Sequence, residues 1–247
     1  LISNDAFGQN IASTERFADQ VDRSLLLKAV KEYYYNIVLP FSSQVLKTLE
    51  AAAALGLDIE TIAPDHGLIW RGREDVAFIL DTYRQLAEQK TAPRAVIVYD
   101  TMWESTARIA KAIGSGLEEE GIPYRIMDMR QNHHSDVMTE LADCGAVLVG
   151  SPTHNNNVLP SIADVLTYMK GLRPQNRVGA AFGSYAWSGE SPKIIHEWLA
   201  SMGMDMPVPP FKYSFAPKHD QLEQCVELGR QVAKALKDKC ASQGEKQ

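Results

Sequence analysis

Residues 94–238 predict an α/β fold, a doubly wound five-stranded parallel sheet with helices on both faces. Two observations carry this. Short runs of β-branched and apolar residues recur without polar alternation, as in strands buried on both faces. Between them lie longer runs with helical periodicity. The strands are predicted at 95–99 (AVIVY), 124–128, 146–150 (AVLVG), 178–182 and, more weakly, 209–215. The helices fall at 106–120, 136–143, 162–170, 192–202 and 221–237. In such a sheet a ligand sits at the carboxyl ends of the strands.

Residues 1–90 read differently. Segment 22–54 is mostly helical with a break at Pro40, a strand at 59–63 enters the turn Pro64-Asp65-His66-Gly67, and a helix covers 73–90. Too few strands alternate here to close a sheet, so the region reads as part of a domain. Thr91-Ala92-Pro93 marks the boundary. The division is therefore 1–90, 94–238 and a tail at 239–247.

Composition narrows the function. A net charge of −6 and the lack of a basic stripe argue against a nucleic-acid binder. No apolar run is long enough to span a membrane, and no segment has the build of a signal peptide. Cys144, Cys225 and Cys240 are widely spaced and form no C-x-x-C pair. A reducing cytoplasm fits them.

The first strand runs into Asp100-Thr101-Met102-Trp103-Glu104-Ser105-Thr106 and then a helix. Backbone N–H groups, the helix dipole and hydroxyls converge in such a loop, which makes it an anion site. It has neither G-x-G-x-x-G nor G-K-[ST], so a dinucleotide and an ATP-type phosphate chain are disfavoured. A mononucleotide such as FMN suits it. Taken alone, the loop is explained as well by N-capping from Ser105 or Thr106. Two further loops change the balance: Ser151-Pro152-Thr153-His154-Asn155-Asn156-Asn157 after the third strand, and Ser184-Tyr185-Ala186-Trp187-Ser188-Gly189 after the fourth. Trp187 or Tyr185 can cover a flat heteroaromatic, and Asn side chains can pair with its edge. Trp187 by itself is equally a core or interface aromatic.

The three segments YDTMWESTARIA, VGSPTHNNNVLPSI and FGSYAWSGES resemble the flavin loops of the flavodiiron proteins, also called A-type flavoproteins. The resemblance implies a flavodoxin-like domain that binds FMN. Thr101, Met102, Trp103, Glu104, Ser105 and Thr106 would surround the phosphate. Ser151, Pro152, Thr153, His154, Asn155 and Asn156, with Ser184, Tyr185, Ala186, Trp187, Ser188 and Gly189, would hold the ring, and Trp187 would lie against its face.

The resemblance also covers residues 1–90. S-N-D-A-F-G and A-P-x-H-G look like late ligand motifs of the family's metallo-β-lactamase-like αββα domain. They make Asp5 a bridging ligand and His66 a terminal ligand of a diiron centre, 66 − 5 = 61 positions apart. Carboxylate and imidazole are suitable iron ligands, although a turn Asp and a structural His explain each residue singly. Tyr34 resembles a tyrosine that stands beside the metals. Asn10 departs from a His found in many relatives. The family's earlier H-x-E-x-D-H motif does not occur in this sequence. The resemblance thus implies the carboxyl-terminal part of a longer protein, with the other ligands on an N-terminal fragment.

Three functions follow. The first is an FMN-dependent oxidoreductase that takes electrons from a rubredoxin-type donor and feeds a diiron centre. That centre would reduce O2 to water, NO to nitrous oxide, or both. The second is a flavodoxin-like electron carrier without metal, and the third is a metal-dependent hydrolase. By resemblance the assembly is a head-to-tail homodimer, and the short 91–94 connection, which restricts how one chain folds on itself, agrees with that.

Overall fold

The computed structural model describes residues 1–244 and separates into two compact units, Leu1–Gln89 and Lys90 onward.

In the first unit β1 (Ile2–Asn4) pairs in parallel with β2 (Thr61–Pro64), which pairs antiparallel with β3 (Trp70–Arg71). The helix α1 (Arg23–Tyr33) starts at Asp22, whose carboxylate accepts the N–H groups of Ser24 and Leu25. The α-helix is interrupted around Pro40, as expected, but the chain stays helical through the interruption. The chain widens into a π turn at Tyr34–Val38, tightens into a 3-10 turn at Leu39–Phe41 and continues as α2 (Ser42–Ala54). These changes of pitch accommodate a residue with no N–H to donate. The helix α3 (Gly72–Glu88) buries Val76, Ile79, Tyr83 and Leu86. Tyr83 lies 4.5 Å from the Phe7 ring and meets Tyr34 edge-on at 5.0 Å. The Trp70 indole is fully buried and donates to the Phe7 carbonyl at 3.0 Å. Strands β1 and β3 were not anticipated; they are too short to show a period-two pattern.

The second unit is the expected parallel sheet. Its order is β5 (Tyr124–Asp128), β4 (Ala95–Tyr99), β6 (Ala146–Gly150), β7 (Val178–Tyr185) and β8 (Phe211–Ser214), parallel throughout. Three of the five strands match their predicted bounds. The fourth is longer than 178–182 because Phe182–Tyr185 is the stretch that β8 joins. The order reverses at β4, which opens a crevice at the carboxyl ends of β4 and β6.

Helices α4 (Ser105–Glu119), α5 (His134–Leu141), α6 (Pro160–Leu172), α7 (Ser191–Ser201) and α8 (Leu222–Gly244) cover the sheet. The close pair is α4 and α8. A Cβ on Gly116 would stand 2.0 Å from the Val226 carbonyl oxygen, so the helices touch backbone to backbone. The tail expected from residue 239 is instead helix up to Gly244, and residues 245–247 lie outside the described residues. The extension is anchored by Gln243, whose amide exchanges hydrogen bonds with Thr91 at 2.8 and 2.7 Å.

Candidate functional site

At the carboxyl edge of the five-stranded sheet lies a cavity of about 820 Å³. Three loops line it. After β4 come Met102, Trp103 and Ser105; after β6 come Pro152, Thr153, His154, Asn155 and Asn156; from the end of β7 come Ser184, Tyr185, Ala186, Trp187 and Ser188. Phe215 and Ala216, just beyond β8, also line it, and the sequence reading missed them. Trp103 is 87% exposed and Trp187 95% exposed. Two uncovered indoles beside an open cavity are a surface that a flat aromatic ligand would cover.

Thr101, Thr106 and Ser151 are buried behind this wall. Glu104 is the N-cap of α4, in a left-handed backbone, and its side chain makes no capping hydrogen bond to the helix's first turn. N-capping by Ser105 or Thr106 is therefore not what the loop does. The Thr106 hydroxyl instead pairs with that of Ser184 at 2.9 Å, tying the first loop to the third. The Thr101 hydroxyl is buried without a partner among the described residues. An uncapped helix N-terminus beside an orphaned hydroxyl fits an anion. Asp100, not singled out from sequence, fixes this loop: its carboxylate accepts the Thr101 N–H at 2.6 Å and the Ser161 hydroxyl.

The second loop closes on itself at its tip. His154 and Asn157 exchange backbone hydrogen bonds at 2.9 Å each, and Asn155 and Asn156 take φ of 50° and 57°. Asn tolerates such values better than most residues. Ser191, fully buried and also missed, joins loops two and three. Its hydroxyl donates to the Ser151 carbonyl at 2.8 Å and accepts from Thr153 at 3.0 Å. Gly189, with φ of 79°, turns the third loop toward α7.

In the first unit β1 and β2 end side by side, and Asp65 N–H donates to the Asn4 carbonyl at 2.9 Å. Residues just past two neighbouring strand ends meet, so Asp5 Oδ1 stands 3.3 Å from His66 Nε2. Both side chains are exposed, at 70% and 53%. Gln9 secures the turn that carries His66. Its backbone N–H donates to the His66 carbonyl at 3.2 Å, and its buried amide pairs with Leu68 N–H and C=O at 2.6 and 3.1 Å. Asn10 is exposed.

Tyr34 does not reach this pair. Its hydroxyl pairs with Ser42 at 3.0 Å, and burial pushes its pKa up to about 12. The neighbour Tyr33 stands beside the pair instead, with its hydroxyl 3.4 Å from Asp5 Oδ1 and its ring 5.8 Å from His66. Burial first, and the Asp5 charge second, raise the Tyr33 hydroxyl to about 12. Among the described residues no group of three or more His, Cys, Asp or Glu is arranged to hold a metal.

The family model described as Flavodoxin matches residues 97–229, more than half of the chain. Over 97% of its length the chain is similar to the structure of rubredoxin oxygen:oxidoreductase from Desulfovibrio gigas, with 48% identity and a TM-score of 0.95. It is 42% identical, over 96% of its length, to the nitric oxide reductase of Moorella thermoacetica. The flavodiiron protein structure from Giardia intestinalis matches 98% of the chain at 31% identity with a TM-score of 0.91. The chain spans 60%, 59% and 59% of these three relatives. By these matches the chain belongs to the flavodoxin family and is a homologue of flavodiiron proteins along nearly all of its length.

Proposed function

We propose that this chain binds FMN in the three-loop cavity and forms the flavin-bearing part of an oxidoreductase. The whole protein would reduce O2 to water, NO to nitrous oxide, or both, at a diiron centre. The observation that carries the reading is the cavity itself: two exposed indoles flank it, and an uncapped helix N-terminus and the orphaned Thr101 hydroxyl stand behind the first loop. Thr101, Met102, Trp103, Ser105 and Thr106 would receive the phosphate. Residues 151–156 and 184–189 would orient the ring, with Trp187 shielding one face from water. Bound there, FMN supplies the one- and two-electron chemistry that side chains lack.

Asp5 and His66 would hold iron from the carboxyl-terminal side of a metallo-β-lactamase-like domain, and Tyr33 would orient Asp5 by its hydroxyl. A metal pair needs more ligands than these two, so the iron chemistry belongs to the full-length protein. Bound iron would supply the site where the gas is reduced. The electron donor is proposed as a separate rubredoxin-type protein, by analogy with the rubredoxin oxygen:oxidoreductase to which the chain is 48% identical. Cys144, Cys225 and Cys240 are free thiols, which fits a cytoplasmic setting. No helix among the described residues is long and apolar enough to cross a membrane.

One observation favours a plainer alternative. A flavodoxin structure from the Archaea matches 58% of this chain and 99% of its own length, at 31% identity and a TM-score of 0.54. On that reading the flavin unit works as an electron carrier without metal chemistry. The test is to release the flavin from the purified chain and to count iron in the full-length protein. FMN with two irons per polypeptide is expected. FAD, or no flavin after reconstitution with FMN, refutes the flavin assignment, and FMN without iron leaves the carrier.

A further inference from the structure

Glu104 is an odd residue for the loop that would seat a phosphate. Its carboxylate carries the charge of the ligand, and its backbone lies in the left-handed region with φ of 59° and ψ of 4°. Residues other than glycine stay there only where the surroundings hold them. Glu104 Oε1 accepts from Arg130 Nη1 at 3.1 Å.

Arg130 is itself anchored. Its Nε donates to both Asp128 oxygens at 3.0 and 3.1 Å, its Nη2 donates to Oδ2 at 2.6 Å, and its backbone N–H donates to Oδ1 at 3.0 Å. This fork holds the Asp128 carboxyl below the ordinary carboxylate range. Asp128 ends β5 and is paired in register with Tyr99 at the end of β4, whose hydroxyl donates to it at 3.4 Å. The guanidinium is thus fixed to the carboxylate at the end of β5 and reaches across to the first loop.

We propose that Arg130 is a positioning residue for the phosphate of the flavin, acting through Glu104. It neutralises the carboxylate, draws it away from the phosphate seat and holds the left-handed bend that leaves the first N–H groups of α4 uncapped. The consequence is selectivity for a phosphorylated flavin over the same ring without phosphate. The inference rests on the flavin reading above and adds a specificity determinant to it.

The test is to titrate the flavin-free chain with FMN and with riboflavin, for the unchanged protein, Arg130→Ala, Glu104→Gln and the double variant, with circular dichroism and melting as folding checks. Both side chains are partly open to solvent, which screens the charge, so Arg130→Ala should weaken FMN binding about three- to fivefold, the upper range for an exposed ion pair, and leave riboflavin unchanged. Adding Glu104→Gln should recover most of the FMN loss. Should Arg130→Ala not fold, Arg130→Gln, which keeps hydrogen-bonding ability, carries the same comparison. Equal losses for FMN and riboflavin, no loss at all, or no recovery by Glu104→Gln would overturn the role of Arg130 while leaving the flavin site standing. An unchanged chain that binds neither flavin would overturn the flavin reading, and the role of Arg130 with it.

Discussion

At the scale of single residues the two exposed indoles are the sharpest feature of the site. Trp187 is almost wholly uncovered on a loop whose base is latched by Ser191 and by the Thr106–Ser184 hydroxyl pair. A fixed base lets the ring approach a ligand without a large ordering cost. Trp187→Ala should therefore weaken FMN binding by about 1–3 kcal/mol, the range for losing a large aromatic contact, and shift the flavin absorption bands. Unchanged affinity and spectrum would show that Trp187 serves another surface. The loops that carry such residues were legible because hydroxyls, Asn and aromatics cluster after strands. Their supports were not. Asp100–Ser161, Thr153–Ser191 and Glu104–Arg130 join residues 61, 38 and 26 positions apart, and no local pattern announces such pairs. The shift from Tyr34 to Tyr33 has a similar cause. Successive helical residues point about 100° apart, and three consecutive tyrosines give no sign of which one faces Asp5.

At the scale of elements, the site depends on helices that end where the ligand begins. Helix α4 brings its uncapped first turn to the cavity, and α8 holds α4 against the sheet through Ile113, Leu117, Leu228 and Val232. Gly116 and Gly229 let the two backbones approach so closely. Gly116→Ala brings a gain in helix propensity of about 1 kcal/mol, yet its methyl would collide with Val226 backbone atoms that have nowhere to move. Overpacking should win, with a net loss of about 1–3 kcal/mol in unfolding free energy. A tilt of α4 should weaken FMN binding alongside it. Gly171 in α6 is the control: beyond its chain neighbours and its own helix backbone, no heavy atom lies within 4 Å of its added methyl, so Gly171→Ala should stabilise by about 0.5–1 kcal/mol. Denaturant titration of both variants decides the matter; equal effects would mean that the α4–α8 contact is not tight in solution. The central strands were easy to read because burial on both faces makes them continuous apolar runs. The extension of α8 to Gly244 was not, because the polar run after residue 237 resembles a tail until Gln243 is seen to anchor on Thr91.

At the scale of the whole molecule, the flavin loops belong to one compact unit and Asp5 and His66 to the other. The proposed reaction needs electrons to pass between them, and transfer slows steeply with distance. Two copies arranged head to tail would set the flavin of one polypeptide opposite the iron of its partner. Such a two-fold interface uses the same patch on both subunits, the commonest oligomer symmetry. It would also give Trp103 and Trp187 a partner surface, where aromatic residues are favoured. The decisive experiment mixes full-length subunits: one made flavin-defective in the first loop, the other made iron-defective by Asp5→Ala. Either parent homodimer should be inactive. In the mixed dimer a head-to-tail arrangement leaves one of the two cofactor pairs intact, because the flavin of the iron-defective subunit faces the iron of the flavin-defective one. About half the activity per dimer should then return, an expectation from counting sites in a two-fold assembly. Transfer within a single polypeptide would leave every subunit missing one cofactor. A mixed dimer that forms, holds one flavin and one iron pair, and stays inactive would therefore refute the head-to-tail arrangement.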